Sequence, residues 1–409
     1  MANPPRDTEL PVFGLALALS LGAAISLGVT RFAYGLLLPP MRADLQWSYT
    51  LAGGMNTANA LGYLLGALAT PRLMGRFGPA RLLLAGAALA SLFMGLSGFF
   101  TDAAPLLLQR VLAGAASAFV FICGGLLAAR LGALQPARSG FLLGLYYGGT
   151  GLGIVLSALL VPAVLEAAAG RPHGWAWAWW ALALACFAAT AALAWPVRAM
   201  QRIDAATPLP QRTDARRFSW RAFAPGLAGY AMFGVGYIGY MTFVIALLRE
   251  QGVGPARLTL FYALLGVAVL LSSRLWAGLL DRFHGGQPLA LLNALLGVAT
   301  IVPALTSAWP AVLLSGLVFG GVFLSVVAST TALVRHNLPP TQWAAGISAF
   351  TIVFAAGQIA GPTIAGWIAD GPGGLARGLV FSAIALWVGA GVAWRQRPLA
   401  AGDGAWRTG

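Results

Sequence analysis

The chain contains no lysine; all 25 of its basic residues are arginine. Acidic residues number only 11. On the helix boundaries expected below, Asp102, Glu166, Glu250, Asp281 and Asp370 fall near helix ends, and no carboxylate lies deep inside a helix. A carrier that exchanges a proton for a cation usually keeps such a carboxylate. Cys123 and Cys186 are the two cysteines. Both sit in apolar runs, without disulfide or metal spacing, and read as small core residues. The three histidines, His173, His284 and His336, fall in loops or at helix ends, which gives a metal site little basis. Met232 and Met241 are the one pair suited to a soft ion such as copper. Neither H-E-x-x-H nor G-x-S-x-G occurs, and no paired carboxylates lie within the apolar runs. An enzyme is therefore not expected, and no cofactor or metal is implied. The alternating ten-residue pattern of a membrane β-barrel is also missing. So are a basic cluster and a small-residue cleavage site around the first apolar run, so that run is expected to be retained rather than removed as a signal peptide.

What the chain has is apolar length. Hydrophobic residues make up 59% and charged residues 9%, with a mean hydropathy of +0.80. Most of the apolar runs reach the roughly 20 residues that cross a bilayer. Twelve helices are expected, over 12–38, 47–70, 82–100, 104–129, 141–165, 175–196, 222–248, 257–280, 288–307, 309–334, 343–369 and 377–394. Pro39-Pro40 is expected to stop the first and Pro339-Pro340 the tenth, because proline removes a donor and clashes with the preceding turn. The polar stretch 198–221 carries six arginines and reads as a cytoplasmic linker. It divides the chain into an N-terminal six-helix bundle, 1–197, and a C-terminal one, 222–409. The fold class is thus an all-α membrane protein of two pseudo-symmetric six-helix bundles.

The net charge of +14 does not imply a nucleic-acid partner, because the arginines gather in short loops on alternate sides of the apolar runs. With the N-terminus inside, 17 of them are cytoplasmic and five external, and Arg31, Arg110 and Arg274 lie within helices. Both termini are therefore expected in the cytoplasm of a bacterium, with the chain multi-pass in the inner membrane and the lipid bilayer as its surroundings.

The two halves repeat. Gly28, Val29 and Tyr34 recur as Gly234, Val235 and Tyr240, each 206 positions on. Where the first copy has Arg31 the second has Tyr237. Gly140 matches Gly346 at the same interval, and Gly149-x-x-x-Gly153 matches Gly357-x-x-x-Gly361 with a slip of two. Parallel repeats of six helices are one architecture of secondary transporters. Arg31 lies about 10 Å below the outer end of its helix at 1.5 Å per residue. A guanidinium there needs an anion or acceptors, and its fork of donors fits a carboxylate or phosphate. Snorkelling outward, or bonding to a neighbour's carbonyls, is the structural alternative. Tyr34, Tyr237 and Tyr240 are expected to line the same cavity. Asn56, Asn59 and Tyr63 share one face of the second helix at spacings of three and four, and Gln358 adds a polar group from the eleventh. Each of these alone is also explained by interhelical hydrogen bonding.

The stretch GVTRFAYGLLLPPMRADL resembles the first-helix signature of the YbfB/YjiJ-type branch of the major facilitator superfamily, and the resemblance extends over essentially the whole chain. It implies two bundles rocking about a central site. The superfamily's loop motif is degenerate after the second helix, where Pro71 and Gly75 replace its first glycine and aspartate while Arg76 and Gly78 remain. The second copy keeps Asp281 and Arg282, with Arg274 seven residues earlier. Arg76, Arg274, Asp281 and Arg282 are accordingly assigned to a cytoplasmic gate, against the alternative that they mark a helix end and set topology. Arg110 and Gly114 fit the family's R-x-x-x-G. Arg110 there binds ligand or relays charge, or else it is structural, pairing with Asp102 or snorkelling outward. The antiporter glycine motif is partial in helix 5 (Gly140, Gly149, Gly153) and closer in helix 11 (Gly357, Gly361, Pro362), where its residues serve helix packing. The expected function is secondary active transport of a small organic anion, such as a carboxylate, by a monomer, with the proton as the candidate coupling ion. Proton-driven efflux of amphipathic drugs or metabolites is the alternative, followed by a non-transporting membrane sensor.

Overall fold

The first membrane-crossing segment does not run as one helix. In the computed structural model, which describes residues 12–135, 138–206, 218–339 and 342–399, helix α1 (Val12–Ala23) passes into a π-helical stretch (Ala24–Val29). After a turn at 30–33 the chain resumes as α2 (Tyr34–Leu45). Thr30 N–H bonds back to Ile25 and Phe32 N–H to Leu27, each five residues earlier, so the ladder is wound one residue wide at this point. Such π-bulges recur at functional positions. The expected stop at Pro39-Pro40 is corrected: both prolines lie inside α2, which ends at Gln46 in left-handed backbone (φ 55°). Proline costs a helix a bond and a kink, but helices of membrane proteins tolerate it where neighbouring groups re-satisfy the freed backbone, and here the helix continues.

The remaining segments follow in order: α3 (Tyr49–Phe77), α4 (Pro79–Ser97), α5 (Ala103–Ala133), α6 (Ser139–Ala167), α7 (Gly174–Ala206), α8 (Ala224–Glu250), α9 (Pro255–Leu275), α10 (Ala277–Arg282), α11 (Gln287–Leu305), α12 (Trp309–Asn337), α13 (Trp343–Ala369) and α14 (Gly374–Trp394). The stretch α1–α2 crosses once, as does α9–α10, so twelve segments cross. Among the described residues, eleven are long and apolar enough by composition. The twelfth, α3, has 29 residues, but Asn56, Thr57 and Asn59 interrupt its apolar stretch and Arg72 and Arg76 lie near its end. Among the described residues no strand occurs. Two further boundaries differ from expectation. α7 continues through Pro196 to Ala206, so the front of the expected linker is helical, and 207–217 lie outside the described residues. The eighth crossing breaks at Trp276, whose indole N–H donates to the Gly321 carbonyl (2.8 Å).

The repeat is visible as packing. A Cβ on Gly28 would stand 2.6 Å from the Gly153 Cα, and one on Gly149 would collide with the Ser20 carbonyl. In the second half a Cβ on Gly234 would stand 2.6 Å from the Phe354 carbonyl, and one on Gly361 would collide with that of Val235. Each half thus seats its first crossing against its fifth backbone to backbone, as small residues allow in membranes. Across the halves, α3 packs on α13, α6 on α9, and α2 on α8. At the end of the bundle that carries Tyr49 and Asp370, these contacts are tight, and every residue of α8 from 233 to 248 is buried.

Candidate functional site

The widened turn places Arg31 at the seam between the halves. Its side chain is 3% exposed. Nε donates to Asn59 Oδ1 of α3 (3.1 Å), and Nη1 donates to Gln358 Oε1 of α13. The guanidinium lies over the Tyr63 ring, 4.9 Å from its centroid. Tyr237 Oη donates to the same Gln358 oxygen (2.7 Å). The two positions that the repeat equates, Arg31 and Tyr237, therefore meet on one acceptor. Nη2 of Arg31 is buried and has no hydrogen-bond partner. Such a donor is costly unless something completes it.

Arg110 of α5 is satisfied differently. Nη1 donates to the Thr30 carbonyl (2.7 Å), Nη2 to Asn56 Oδ1 (2.9 Å) and Nε to the Met55 carbonyl (3.4 Å). Asn59 Nδ2 in turn donates to the Arg110 carbonyl (3.2 Å), and Asn56 Nδ2 donates to Thr242 Oγ1 of α8 (2.7 Å). Arg110 thus clamps the turn that carries Arg31. Among the described residues, neither guanidinium has a carboxylate in ion-pair contact. Two buried cations therefore sit close together, held only by neutral oxygens.

Of the residues singled out from sequence, Arg31, Asn59, Tyr63, Tyr237 and Gln358 come together as one cluster, with Arg110 and Asn56 beside it. Tyr34 and Tyr240 lie elsewhere. Tyr34 is fully buried, donates to the Ala52 carbonyl (2.9 Å) and rests against Arg110. Tyr240 shares a hydrogen bond with Ser315 (2.8 Å) and stacks on Phe319 within its own half. Thr242 was not foreseen, since a threonine inside a helix carries no signal in sequence.

The four residues assigned to a gate are not assembled. Arg274 stacks on Phe141 of the other half (4.7 Å), whereas Arg76 and Arg282 lie on their neighbours Phe77 and Phe283. Asp281 lines a cleft of about 220 Å³ with Arg335, His336 and Trp343 of its own half. The closure lies at the opposite end. Asp370, just past α13, accepts from Tyr49 N–H (2.6 Å), Thr50 N–H (2.8 Å) and Thr50 Oγ1 (2.6 Å). It therefore caps the positive end of α3 from across the halves. Partial burial pushes the Asp370 pKa up, but the Thr50 and Tyr49 hydrogen bonds and the nearby Arg42 together hold it below the usual carboxylate range. Tyr49 Oη donates to Glu250, and Arg42 covers the Tyr49 ring (3.7 Å), beside a cleft of about 230 Å³. Sequence showed Asp370 and Glu250 only as helix-end residues.

The profile of the family described as "Uncharacterised MFS-type transporter YbfB" matches residues 23–394. Among curated proteins none matches. A bacterial homologue of the human lysosomal transporter Spinster, solved inward-facing and unoccupied, superposes with a TM-score of 0.66 at 16% identity, over 94% of this chain and 96% of that one. The nucleoside transporter NupG gives 0.68 at 12% identity, over 95% and 100%. At such identities the likeness is one of fold.

Proposed function

The chain belongs to the YbfB-type family of major facilitator transporters, and from that premise we propose that it carries a small organic anion by alternating access, with Arg31 as the anion-binding group. One observation carries this reading: a buried guanidinium at the seam of the halves, bonded only to neutral oxygens and with Nη2 unpartnered. A carboxylate accepts from two donors of an arginine fork and supplies the missing charge. Because Asn59 and Gln358 belong to different halves, an anion that draws Arg31 away from either one changes how the halves are joined. The arginine bias supports placing both termini in the cytoplasm of a bacterial inner membrane. The Asp370 end then faces outward and is closed, and the site opens inward. Among the described residues no carboxylate stands beside Arg31 to hold a coupled proton, so a proton travels on the acid itself or one anion exchanges for another. The single chain with its own central site supports a monomeric carrier.

The test is uptake of a panel of organic acids by proteoliposomes holding the full chain. Arg31→Ala and Arg31→Lys should each lower uptake at least a hundredfold while the protein stays folded. A second reading, proton-driven export of amphipathic compounds, draws support from the aromatic column beside the site: Tyr230, Phe233, Tyr237 and Phe354 stack at 4.7–5.6 Å. Export of a cationic dye, unchanged by Arg31→Ala, would replace the anion reading with this one.

A further inference from the structure

The two residues that hold Arg31 each have an aromatic one turn away, on the side away from the closed end. Tyr63 follows Asn59 by four positions in α3, and Phe354 precedes Gln358 by four in α13, so each shares the inward face of its helix with its polar neighbour. Both residues are only half-buried. Their exposed parts do not face lipid. Tyr63 has its ring under the buried guanidinium of Arg31, and its phenol lies near those of Tyr147 and Tyr237. Phe354 stacks on Phe233 (5.3 Å) and Tyr237 (5.6 Å), both buried. The lipid-facing side of α3 is instead marked by exposed Leu61, Leu65 and Leu68, and that of α13 by Ile352, Ile364 and Trp367. Partial exposure on an inward face means open space between the halves, walled by rings from both.

We infer that this space is a slot for the ring of the substrate, so that the carried anion is an aromatic carboxylate: its carboxylate on Arg31 and its ring between Tyr63 and Phe354. The inference rests on the anion reading above and narrows it. Stacked or edge-on rings gain a modest attraction beyond the area they bury, and two such contacts amount to about tenfold in affinity. Tyr237 and Phe233 back the Phe354 ring, so that wall does not have to be ordered on binding.

The experiment is titration calorimetry on the purified full chain with three probes: benzoate, cyclohexanecarboxylate and benzamide. Benzoate should bind about tenfold more tightly than cyclohexanecarboxylate, which has equal charge and similar size but no π-face. In Tyr63→Leu or Phe354→Leu the ratio of the two affinities should fall to twofold or less, and Tyr63→Phe should keep it. Equal binding of the two acids by the unaltered protein overturns the slot and leaves the anion reading standing. Benzamide binding as tightly as benzoate, with both above cyclohexanecarboxylate, keeps the slot and removes the anion reading. Failure of all three to bind at tens of millimolar overturns both.

Discussion

Asp370→Asn should loosen the closed end of the transporter. In the structure the first four amide groups of α3 are all satisfied: Tyr49 and Thr50 N–H by Asp370, Leu51 N–H by Ser48 Oγ (3.1 Å) and Ala52 N–H by the Ser48 carbonyl (3.1 Å). Half of that cap belongs to the other bundle, so parting the halves strips it. A hydrogen bond to a charged acceptor is worth roughly 1.5–3 kcal/mol when protected from water. Asp370 is exposed, and asparagine keeps one acceptor oxygen, so the expected net loss is about 1–2 kcal/mol. That lowers the ratio of closed to open molecules roughly 5- to 30-fold. The assay is double electron–electron resonance between spin labels at Ala43→Cys and Ala256→Cys, two exposed positions at this end on opposite halves. The asparagine variant should gain a long-distance population without ligand. The pH dependence follows from the lowered Asp370 pKa. The latch contributes fully above the ordinary carboxylate value near ~4 and is lost as pH falls through the lowered one. Distances should therefore stay constant between pH 8 and 5 and lengthen only in stronger acid. An unchanged distance distribution in a folded Asp370→Asn protein would refute the argument.

Three further outcomes are expected. Arg110→Ala should lower stability by roughly 2–4 kcal/mol, read as a fall in melting temperature, because the Thr30 and Met55 carbonyls and Asn56 lose their donor in a buried place; Arg31→Ala should cost far less stability and far more transport. Gly153→Leu should prevent folding or lower the yield sharply, since α6 then no longer reaches the Gly28 backbone, whereas Gly54→Leu, where a Cβ meets nothing within 4 Å, should be tolerated. A green fluorescent protein fused after the C-terminus should fluoresce, as expected of a cytoplasmic end; a dark fusion with normal insertion would reverse the topology drawn from the arginines.

Much of the site was legible because it rests on local rules. A lone arginine in an apolar helix has to find acceptors, and helical spacing put Asn59 and Tyr63 on one face, so four of the other eight predicted binding residues gather around the Arg31 guanidinium. The glycine repeat was legible because backbone contact tolerates no side chain. Three things were not. Pro39-Pro40 followed a rule for isolated helices; here the helix broke instead at 30–33, where Arg110 and Tyr262 of other helices supply donors that no local pattern shows. Tyr34 and Tyr240 have matched places in the repeat but different neighbours, since repeat symmetry fixes the backbone and not what packs on it. Asp370 and Glu250 act across the halves, and docking of two bundles leaves no periodicity in either one.

The widened turn has one more consequence. Its Thr30 carbonyl is held by Arg110 of the first half and its Phe32 carbonyl by the Tyr262 hydroxyl of the second (2.7 Å). This short piece of main chain is thus tethered to both bodies that must swing apart. When they do, either the tyrosine lets go or the turn is pulled toward a regular coil, and the guanidinium it carries is re-aimed in either case. If that guanidinium holds the anion as proposed, the motion itself would reset it, with no separate signal required for release.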